Sequence, residues 1–299
     1  MKLPNKPMSP IAKPELMEGN DWGYQLKWDG VRTIATLEDG QVDLYSKRML
    51  LKNSVYPEIA QMLAKLPRRI MLDGEIIMFD TVEQKPNFQK VLQRERSSGI
   101  GRRTEQVRYH LCYVLFDLLY VDDKDIRALP YETRHAMLLD QFPTRTPHLF
   151  VTDLVANGQA LWNWVLAHSW EGVISKRLSS PYREGKQHSD WFKKKIAINR
   201  LVQIVGLIIR NGKVASLVME LDGDYFGRVS LGLSEAQRQK LMQYASSHQT
   251  DQLPWASPPE MTTQEQLITF YPYIACHVTG LEITASGVLR HPKIVQIVW

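Results

Sequence analysis

The chain has 299 residues, 44% hydrophobic and 23% charged, which excludes a largely disordered protein. Its two cysteines, Cys112 and Cys276, exclude a disulfide framework and a zinc ligand set, and no run of eighteen apolar residues offers a membrane span. The net charge of +5 is unevenly placed, since residues 85–108 carry +5 and residues 176–213 carry +8 on an otherwise acidic body, a distribution that suits a polyanionic partner.

The first twenty residues are broken by prolines and charges. They read as an extended lead-in rather than a signal peptide, so a reducing, cytoplasmic location is expected. Trp22 to Tyr45 reads as strand, turn, strand, with Glu38-Asp39-Gly40 as the turn. Residues 55–66 place Ile59, Met62, Leu63 and Leu66 at helical spacing. Residues 69–79 read as two apolar strands hinged at Asp73-Gly74, and residues 87–96 as a short basic helix. The stretch 97–103, SSGIGRR, reads as a mobile loop. Residues 109–121 form a β-rich apolar run suited to a central strand, and 131–141 and 158–168 read as helices.

Residues 171–178 and 190–198 return to strand. In the second of these, alternation places Trp191, Lys193 and Lys195 on one face, with Phe192, Lys194 and Ile196 on the other. The texture changes after Asn199. Short strands at 200–209, 213–221 and 224–231 precede a helix opened by Ser234 and Gln237, a capping-box pair. A Pro- and Thr-rich loop covers 251–264, and strands return near 274–284 and 293–298. About five short strands with one helix fit a small β-barrel of the OB type. The predicted domains are 1–198 and 199–299.

Four local patterns carry chemistry. Lys27-Trp28-Asp29-Gly30-Val31-Arg32 puts a lysine at a strand end beside a tight turn. Lysine is a nucleophile only when deprotonated, and it ordinarily titrates near ~10.4, so its site must lower that value. Leu72-Asp73-Gly74-Glu75 places an acid between apolar runs, where it needs a metal, a hydroxyl or a cation as partner. Glu171-Gly172-Val173-Ile174-Ser175-Lys176 flanks a strand with an acid and a base, and a carboxylate there suits Mg²⁺. Lys193 and Lys195 share a strand face with no nearby acid in sequence, so they repel unless an anion such as a polyphosphate lies between them. Each pattern also has an ordinary structural explanation: a hairpin, a turn, a charged strand end or a solvated edge.

Together and in order, they resemble the motif set of the covalent nucleotidyltransferases. The chain is similar to ATP-dependent DNA ligases, and most of all to the ligase domain of bacterial end-joining ligases of the ligase D type. The likeness runs through Pro7-Met8, GYQLKWDGVR, LDGEIIMFD, YVLFDLLYVDD, EGVISKR and the final CHVTGLEITASGVLRHP. It implies an α+β fold, a nucleotidyltransferase (adenylation) domain of ATP-grasp-like antiparallel sheets followed by an OB-fold barrel.

The resemblance also implies site roles. Lys27 becomes a lysyl-AMP. Asp29 and Arg32 hold the ribose and phosphates, and Glu75 is the ribose- and metal-linked acid. Phe116 stacks on adenine, and Glu171 is metal-associated with Lys176 in the same motif. Lys193 and Lys195 lie near the α-phosphate and depress the pKa of Lys27. ATP and Mg²⁺ are the implied cofactors, with Mn²⁺ as an alternative metal. A monomer acting on nicked or broken duplex DNA is implied, with an end-binding protein of the Ku type as partner. Arg94, Arg96, Arg102 and Arg103 are candidate DNA contacts.

Three departures from the family pattern matter. Gln25 stands where a glutamate usually reads the adenine amino group. Ser46-Lys47-Arg48 stands where the family has Ser-Arg, so either Lys47 replaces the arginine or Arg48 supplies it after a one-residue shift. The family's last basic motif is not apparent before Trp299, with Arg290 the nearest replacement, and no helical DNA-binding domain stands in front, so a stand-alone two-domain ligase is expected. Two other functions fit parts of the pattern: an RNA ligase, and a non-catalytic nick- or end-binding factor with vestigial nucleotide binding. Trp162, Trp164 and Trp170 read as packing residues, His110 and Cys112 as buried strand residues, and His188 as polar surface.

Overall fold

The computed structural model describes residues 1–66, 69–96, 108–185, 188–252, 254–255, 261–284 and 286–299. The basic loop at 97–103, with Arg102 and Arg103, lies outside the described residues. The chain divides into two compact units, Met1–Ile196 and Ala197–Trp299.

The first unit runs β1 (Ile11–Ala12), β2 (Trp22–Leu26), β3 (Val31–Glu38), β4 (Gln41–Ser46), α1 (Pro57–Leu63), β5 (Ile70–Asp80), β6 (Lys85–Pro86), α2 (Phe88–Arg96), β7 (Tyr109–Val121), β8 (Lys124–Asp125), α3 (Tyr131–Gln141), β9 (Leu149–Val151), α4 (Gly158–Ala167), β10 (Gly172–Arg177) and β11 (Trp191–Lys195). A small sheet has the order β1-β11-β10-β2. A larger one has the order β4-β3-β5-β7-β8, with β6 beside β5 and β9 parallel to β7.

The segment read as strand-turn-strand holds three strands. β2 belongs to the small sheet and β3 to the large one, so Lys27-Trp28-Asp29-Gly30 is the crossing between sheets. Gly30 is required there, because a Cβ would lie 2.2 Å from the Ile76 carbonyl oxygen. β3 and β4 form the hairpin, and Asp39 and Gly40 take φ of 52° and 77°, the left-handed pair a tight two-residue turn demands.

The predicted hinge at Asp73-Gly74 is absent, and β5 is one continuous strand of 11 residues. Gly74 serves close approach instead, since a Cβ would meet the Tyr113 ring and the Val114 carbonyl oxygen at 2.5 Å. Alternation divides the faces of the large sheet. Ala35, Leu37, Ile70, Leu72, Ile76, Leu115 and Leu118 pack against Ile59 and Leu63 of α1 and Leu138 of α3. The other face carries Ile34, Met71, Phe116 and Leu119. These join Trp191 of the small sheet, Tyr131, Tyr182 and Met8 in a second core.

The lead-in is therefore structural. Met8 is fully buried, and Ile11–Ala12 pairs in parallel with β11. His188 is likewise not surface. It is buried, with Nε2 3.1 Å from the Ser9 carbonyl oxygen, and it ties the lead-in to the approach to β11. The back of the small sheet packs Trp22, Tyr24 and Val173 on Val165 of α4 and on Trp170. Trp162 and Trp170 fill this layer, whereas Trp164 is 39% exposed and stacks on His168.

The second unit runs β12 (Ile198–Arg210), β13 (Lys213–Leu221), β14 (Asp224–Val229), α5 (Glu235–Ser247), β15 (Glu265–Gly280), β16 (Glu282–Ile283), β17 (Leu289–Arg290) and β18 (Lys293–Val298). The order β14-β13-β12-β15-β18 is closed by a parallel bridge between Leu231 and Lys293. Five strands closed in this order, with a helix between the third and fourth, make an OB-fold barrel. The capping box of Ser234 and Gln237 opens α5.

β15 begins at Glu265, nine residues before the predicted start near 274. Tyr271-Pro272 obscured it in the sequence. Register with β12 jumps from Thr269 to Ile274, so the proline sits where the ladder is interrupted and no N–H is required.

Candidate active site

The small sheet is built in rungs. Ile174 of β10 faces Gln25 of β2 on one side and Lys193 of β11 on the other. One rung along, Gly172 pairs with Lys195, and the Lys27 N–H donates to the Gly172 carbonyl at 2.9 Å. Directly opposed residues share a face. Gln25, Lys27, Lys176, Lys193, Lys195 and Trp191 therefore lie on one side of this sheet. Lys194 lies on the other, with Nζ 4.3 Å from the Trp162 ring centre. The alternation in Trp-Phe-Lys-Lys-Lys is observed as read.

Glu171, just before β10, joins the two lysine-bearing edges. Lys27 Nζ donates to Oε2 at 2.5 Å, and Lys195 Nζ lies 2.7 Å from Oε1. The anion expected near Lys195 is thus supplied by the protein itself. All three side chains are 14–19% exposed, so the pairs are weakly screened. Burial by itself would lower the Lys27 pKa, but the carboxylates of Glu171, Glu75 and Asp29 outweigh it and hold the ammonium above its ordinary value. Burial raises the Glu171 carboxyl less than Lys27 and Lys195 lower it. The net depression of Lys27 expected from Lys193 and Lys195 is not found, because the carboxylates around Lys27 hold it above its ordinary value.

The large sheet contributes Arg32, Asp73, Glu75 and Phe116. Arg32 and Glu75 are cross-strand partners. Arg32 instead forks onto Asp73, with Nη2 2.5 Å from Oδ2 and Nε on Oδ1, and it donates to the Met8 carbonyl at 3.1 Å. Tyr182 also donates to Asp73, at 2.7 Å. Asp73 is fully buried and was missed in sequence, although alternation with Glu75 puts both on one face. Tyr182 had no comparable signal.

Glu75 is left without such a fork. Burial pushes its carboxyl up to about 7; Lys27 and Arg32 pull it down, while Glu171 and Asp29 push it further up.

Phe116 is the extra residue of a β-bulge, since Asp73 pairs with Asp117 and Gly74 with Leu115. The bulge turns the Phe116 ring to the site face. There it carries the Arg32 guanidinium at 4.4 Å and stands edge-on to Trp191.

Lys176 is only 2% exposed. Its Nζ lies 4.1–4.5 Å from the ring centres of Trp191, Tyr131 and Phe116, and it donates to the Tyr131 hydroxyl at 3.1 Å. Burial drives its pKa well down. Lys176 is therefore enclosed by rings rather than presented at an open face. Asp117 and Arg134, both fully buried, form a bidentate pair that fixes α3 beneath this cluster.

Asp29 is half-buried in the crossing, and Lys193 is half-buried on the site face. Arg48 is exposed in the turn after β4 and is not drawn into this cluster. Arg94 is engaged by Glu58 at 2.6 Å and by the Val55 carbonyl at 2.9 Å, whereas Arg96 is exposed.

A metal can be tested against the donor set. Among the described residues, no three His, Cys, Asp or Glu side chains form a metal-holding group. Glu75 and Glu171, two mutually repelling carboxylates beside Lys27, fit Mg²⁺, which takes one or two protein carboxylates and fills its shell with water and phosphate.

A lysine set among acids and lysines at a crossing between two mainly antiparallel sheets, followed by an OB-fold barrel, defines a nucleotidyltransferase of the covalent type. Residues 6–195 match the ATP dependent DNA ligase domain, and residues 212–297 match the ATP dependent DNA ligase C terminal region. The chain belongs to the ATP-dependent DNA ligase family.

It is 28% identical over 283 residues to the multifunctional non-homologous end joining DNA repair protein LigD of Mycobacterium tuberculosis, covering 92% of this chain and 36% of that protein. It is 29% identical over 303 residues to the LigD protein of Pseudomonas aeruginosa, covering 95% of this chain and 35% of that protein. The chain thus spans about a third of these curated relatives. Among solved structures, a mycobacterial DNA ligase D complexed with ATP matches with a TM-score of 0.57 and 27% identity, over 97% of this chain and 94% of that one.

Proposed function

We propose that this chain seals 5′-phosphate/3′-hydroxyl breaks in duplex DNA through a lysyl-AMP formed on Lys27, in repair of broken ends. The observation that supports it is the shared carboxylate of Glu171. It holds Lys27 and Lys195 together on either side of Gly172, so one group supports both the proposed nucleophile and the proposed phosphate-binding cation.

In the first step Lys27, held as the ammonium, gives one proton to Glu171, the base within hydrogen-bond reach; the free amine Nζ then bonds to the α-phosphorus of ATP, the bond to the pyrophosphate oxygen breaks, and the second Nζ proton leaves with the departing pyrophosphate. Lys193 and Lys195 neutralise the phosphate charge. Phe116 packs the base, and Arg32, held rigid by Asp73, faces the ribose and phosphates. Glu75 and Glu171 would hold Mg²⁺, which supplies further charge neutralisation at the phosphate oxygens. AMP then passes to the 5′-phosphate of a nick, and the 3′-hydroxyl displaces it. A duplex with broken ends is the proposed partner substrate, and an end-binding protein of the Ku type is the proposed protein partner, both by analogy with the end-joining relatives. Cytoplasmic location and a monomeric state belong to the same proposal.

The test is the intact mass of the wild type and of Lys27→Ala after ATP and Mg²⁺, followed by nicked duplex. The reading requires that the wild type alone gain one AMP and lose it with formation of sealed product. An unmodified wild type that still binds nicks, with Lys27→Ala indistinguishable from it, would replace it with a binding factor.

A further inference from the structure

Lys27 and Trp28 are consecutive, as are Trp170 and Glu171, and the same two stretches of backbone are joined twice by their side chains. On the site face Lys27 Nζ meets Glu171 Oε2 at 2.5 Å. In the apolar layer behind the small sheet, the Trp28 and Trp170 rings stand edge to face, with centres 5.1 Å apart and planes at 74°. The backbone bond from the Lys27 N–H to the Gly172 carbonyl, 2.9 Å, joins the same two stretches. One backbone bond and one ion pair leave two strand ends free to pivot. A ring contact on the other side of the backbone removes that freedom, as packing around a reacting group must if the group is to hold its place.

Trp28 is itself held. Its Nε1 donates to the Thr152 hydroxyl at 2.9 Å, and Phe150 stands edge-on to it at 5.3 Å. Thr152 is buried and rigid: its N–H donates to the Leu115 carbonyl at 2.8 Å, and its carbonyl lies 3.0 Å from Nε2 of the buried His135 on α3. Trp28 also packs in two apolar layers, that of Trp22, Tyr24 and Val173 behind the small sheet and that of Ile77, Cys112 and Val114 on the large one. On the other side of the contact, Trp170 is 8% exposed, and its N–H donates to the Val165 carbonyl of α4 at 3.1 Å. An aliphatic side chain would fill this layer, but it has no N–H for Thr152 and no flat edge that accepts a neighbour in one orientation.

We infer that Trp28 and Trp170 are positioning residues: their contact, fixed by Thr152, sets the register of Lys27 against Glu171 and so governs the transfer of AMP to the lysine. The inference rests on the ligase reading of the site and deepens it. It gives Trp170 a role beyond the packing expected from sequence.

Four quantities test it in the full chain: single-turnover transfer of AMP to lysine at saturating ATP, equilibrium ATP affinity, sealing of a nick that already carries AMP, and melting temperature. The variants are Thr152→Val, Trp28→Phe, their double and Trp170→Leu. Trp162→Phe, a loss from the same apolar layer, is the control. Thr152→Val and Trp28→Phe each delete the one hydrogen bond, so each should slow transfer by up to ~10-fold. The double variant should be no slower than either single, because both remove the same interaction. Trp170→Leu should slow transfer by ~100-fold, as a displacement of about 1 Å at a reacting centre does. ATP affinity and nick sealing should stay near their wild-type values, since neither requires Lys27 to form a bond. A general loss of stability would lower all three activities together and would appear equally in Trp162→Phe.

Transfer that falls no further than affinity and sealing, an equal fall in Trp162→Phe, or wild-type transfer in both single hydrogen-bond variants overturns the inference. If Trp170→Leu does not fold, Thr152→Val, Trp28→Phe and their double decide it alone. A wild-type chain that takes up no AMP removes the ligase reading and the inference with it. A wild type that is adenylylated, with variants that match it, removes only the role of the two tryptophans.

Discussion

Glu171 and Lys27 are 144 residues apart in sequence and meet at 2.5 Å, because Lys27 extends β2 and Glu171 precedes β10, its antiparallel neighbour. The pair keeps the lysine charged and aligned until a substrate displaces it. On the proposed reading, nucleophile and proton acceptor are set by sheet register rather than by a mobile loop.

Glu171→Gln tests this relationship. The amide leaves Lys27 and Lys195 side by side without their shared countercharge and removes the nearest proton acceptor. Lysyl-AMP formation should fall by at least ~100-fold, as for loss of a positioned base. The melting temperature should drop modestly, because the pairs are partly exposed and their loss costs less than the 3–5 kcal/mol of a fully buried pair. Single-turnover adenylylation and a thermal melt measure the two effects. A variant that transfers AMP at the wild-type rate would remove Glu171 from the reaction.

Glu75 gives a pH dependence of defined sign. Its carboxyl is raised from 4.5 to about 7, chiefly by burial. Between those values the folded protein binds more protons than the unfolded chain, so stability falls as pH rises through that window. Above it the buried charge is a standing cost. Glu75→Gln should therefore melt several degrees higher than wild type at pH 8 and no higher at pH 5, while losing adenylylation. Melting curves at the two pH values decide it. An equal gain at both would mean that packing, not ionisation, sets the difference.

Of the four chemical patterns, Trp191–Lys195 was the most legible, because it lies whole on a short strand with strict alternation. That alternation placed Lys193 and Lys195 together before any fold was known. The position of Phe116 was not legible. It depends on a bulge whose existence is set by pairing with a strand some forty residues earlier. Asp73 could have been found, because it shares a face with Glu75, but its neighbour Gly74 read as a hinge. The glycine is in fact there because Tyr113 and Val114 crowd it from the adjacent strand, a tertiary cause with no local signature. The lead-in was misjudged for a similar reason. Pro7-Met8-Ser9-Pro10 looks like linker, yet Met8 fills the core between the sheets and its carbonyl orients Arg32.

Lys176 offers a contrasting titration. Its ammonium sits among three aromatic rings, and burial lowers its pKa against the pull of Asp117. The folded state then binds fewer protons than the unfolded chain below pH ~10, so its cost is greatest at low pH and fades as pH rises. Lys176→Met keeps the length, removes the charge and places a thioether against the rings. It should melt above wild type at pH 6, with the gap narrowing at pH 9. Differential scanning across that range measures it. A variant less stable than wild type at pH 6 would show that the hydrogen bond to Tyr131 and the ring contacts outweigh the buried charge.

The crossing at Gly30 ties the small sheet to the large one, and so ties Lys27 to Glu75. A Cβ at this position would stand 2.2 Å from the Ile76 carbonyl oxygen and 2.8 Å from Ile77 Cγ2. The first contact is with backbone in the centre of β5, which cannot yield without disturbing its pairing with β3 and β7. Gly30→Ala should therefore displace Val31–Arg32 from Glu75–Ile76, spread the two carboxylates from Lys27, and cost about 1–3 kcal/mol as overpacking does. A shift of 1 Å at a reacting centre can cost ~100-fold in rate, so adenylylation should suffer more than stability. Gly40→Ala is the control. Nothing lies within 4 Å of its Cβ, and its φ of 77° makes the substitution strained but remote from the site. The measurement is adenylylation rate against melting temperature for both variants. Gly30→Ala should lie well below the line that Gly40→Ala defines, and coincidence of the two would mean that the crossing does not position the nucleophile.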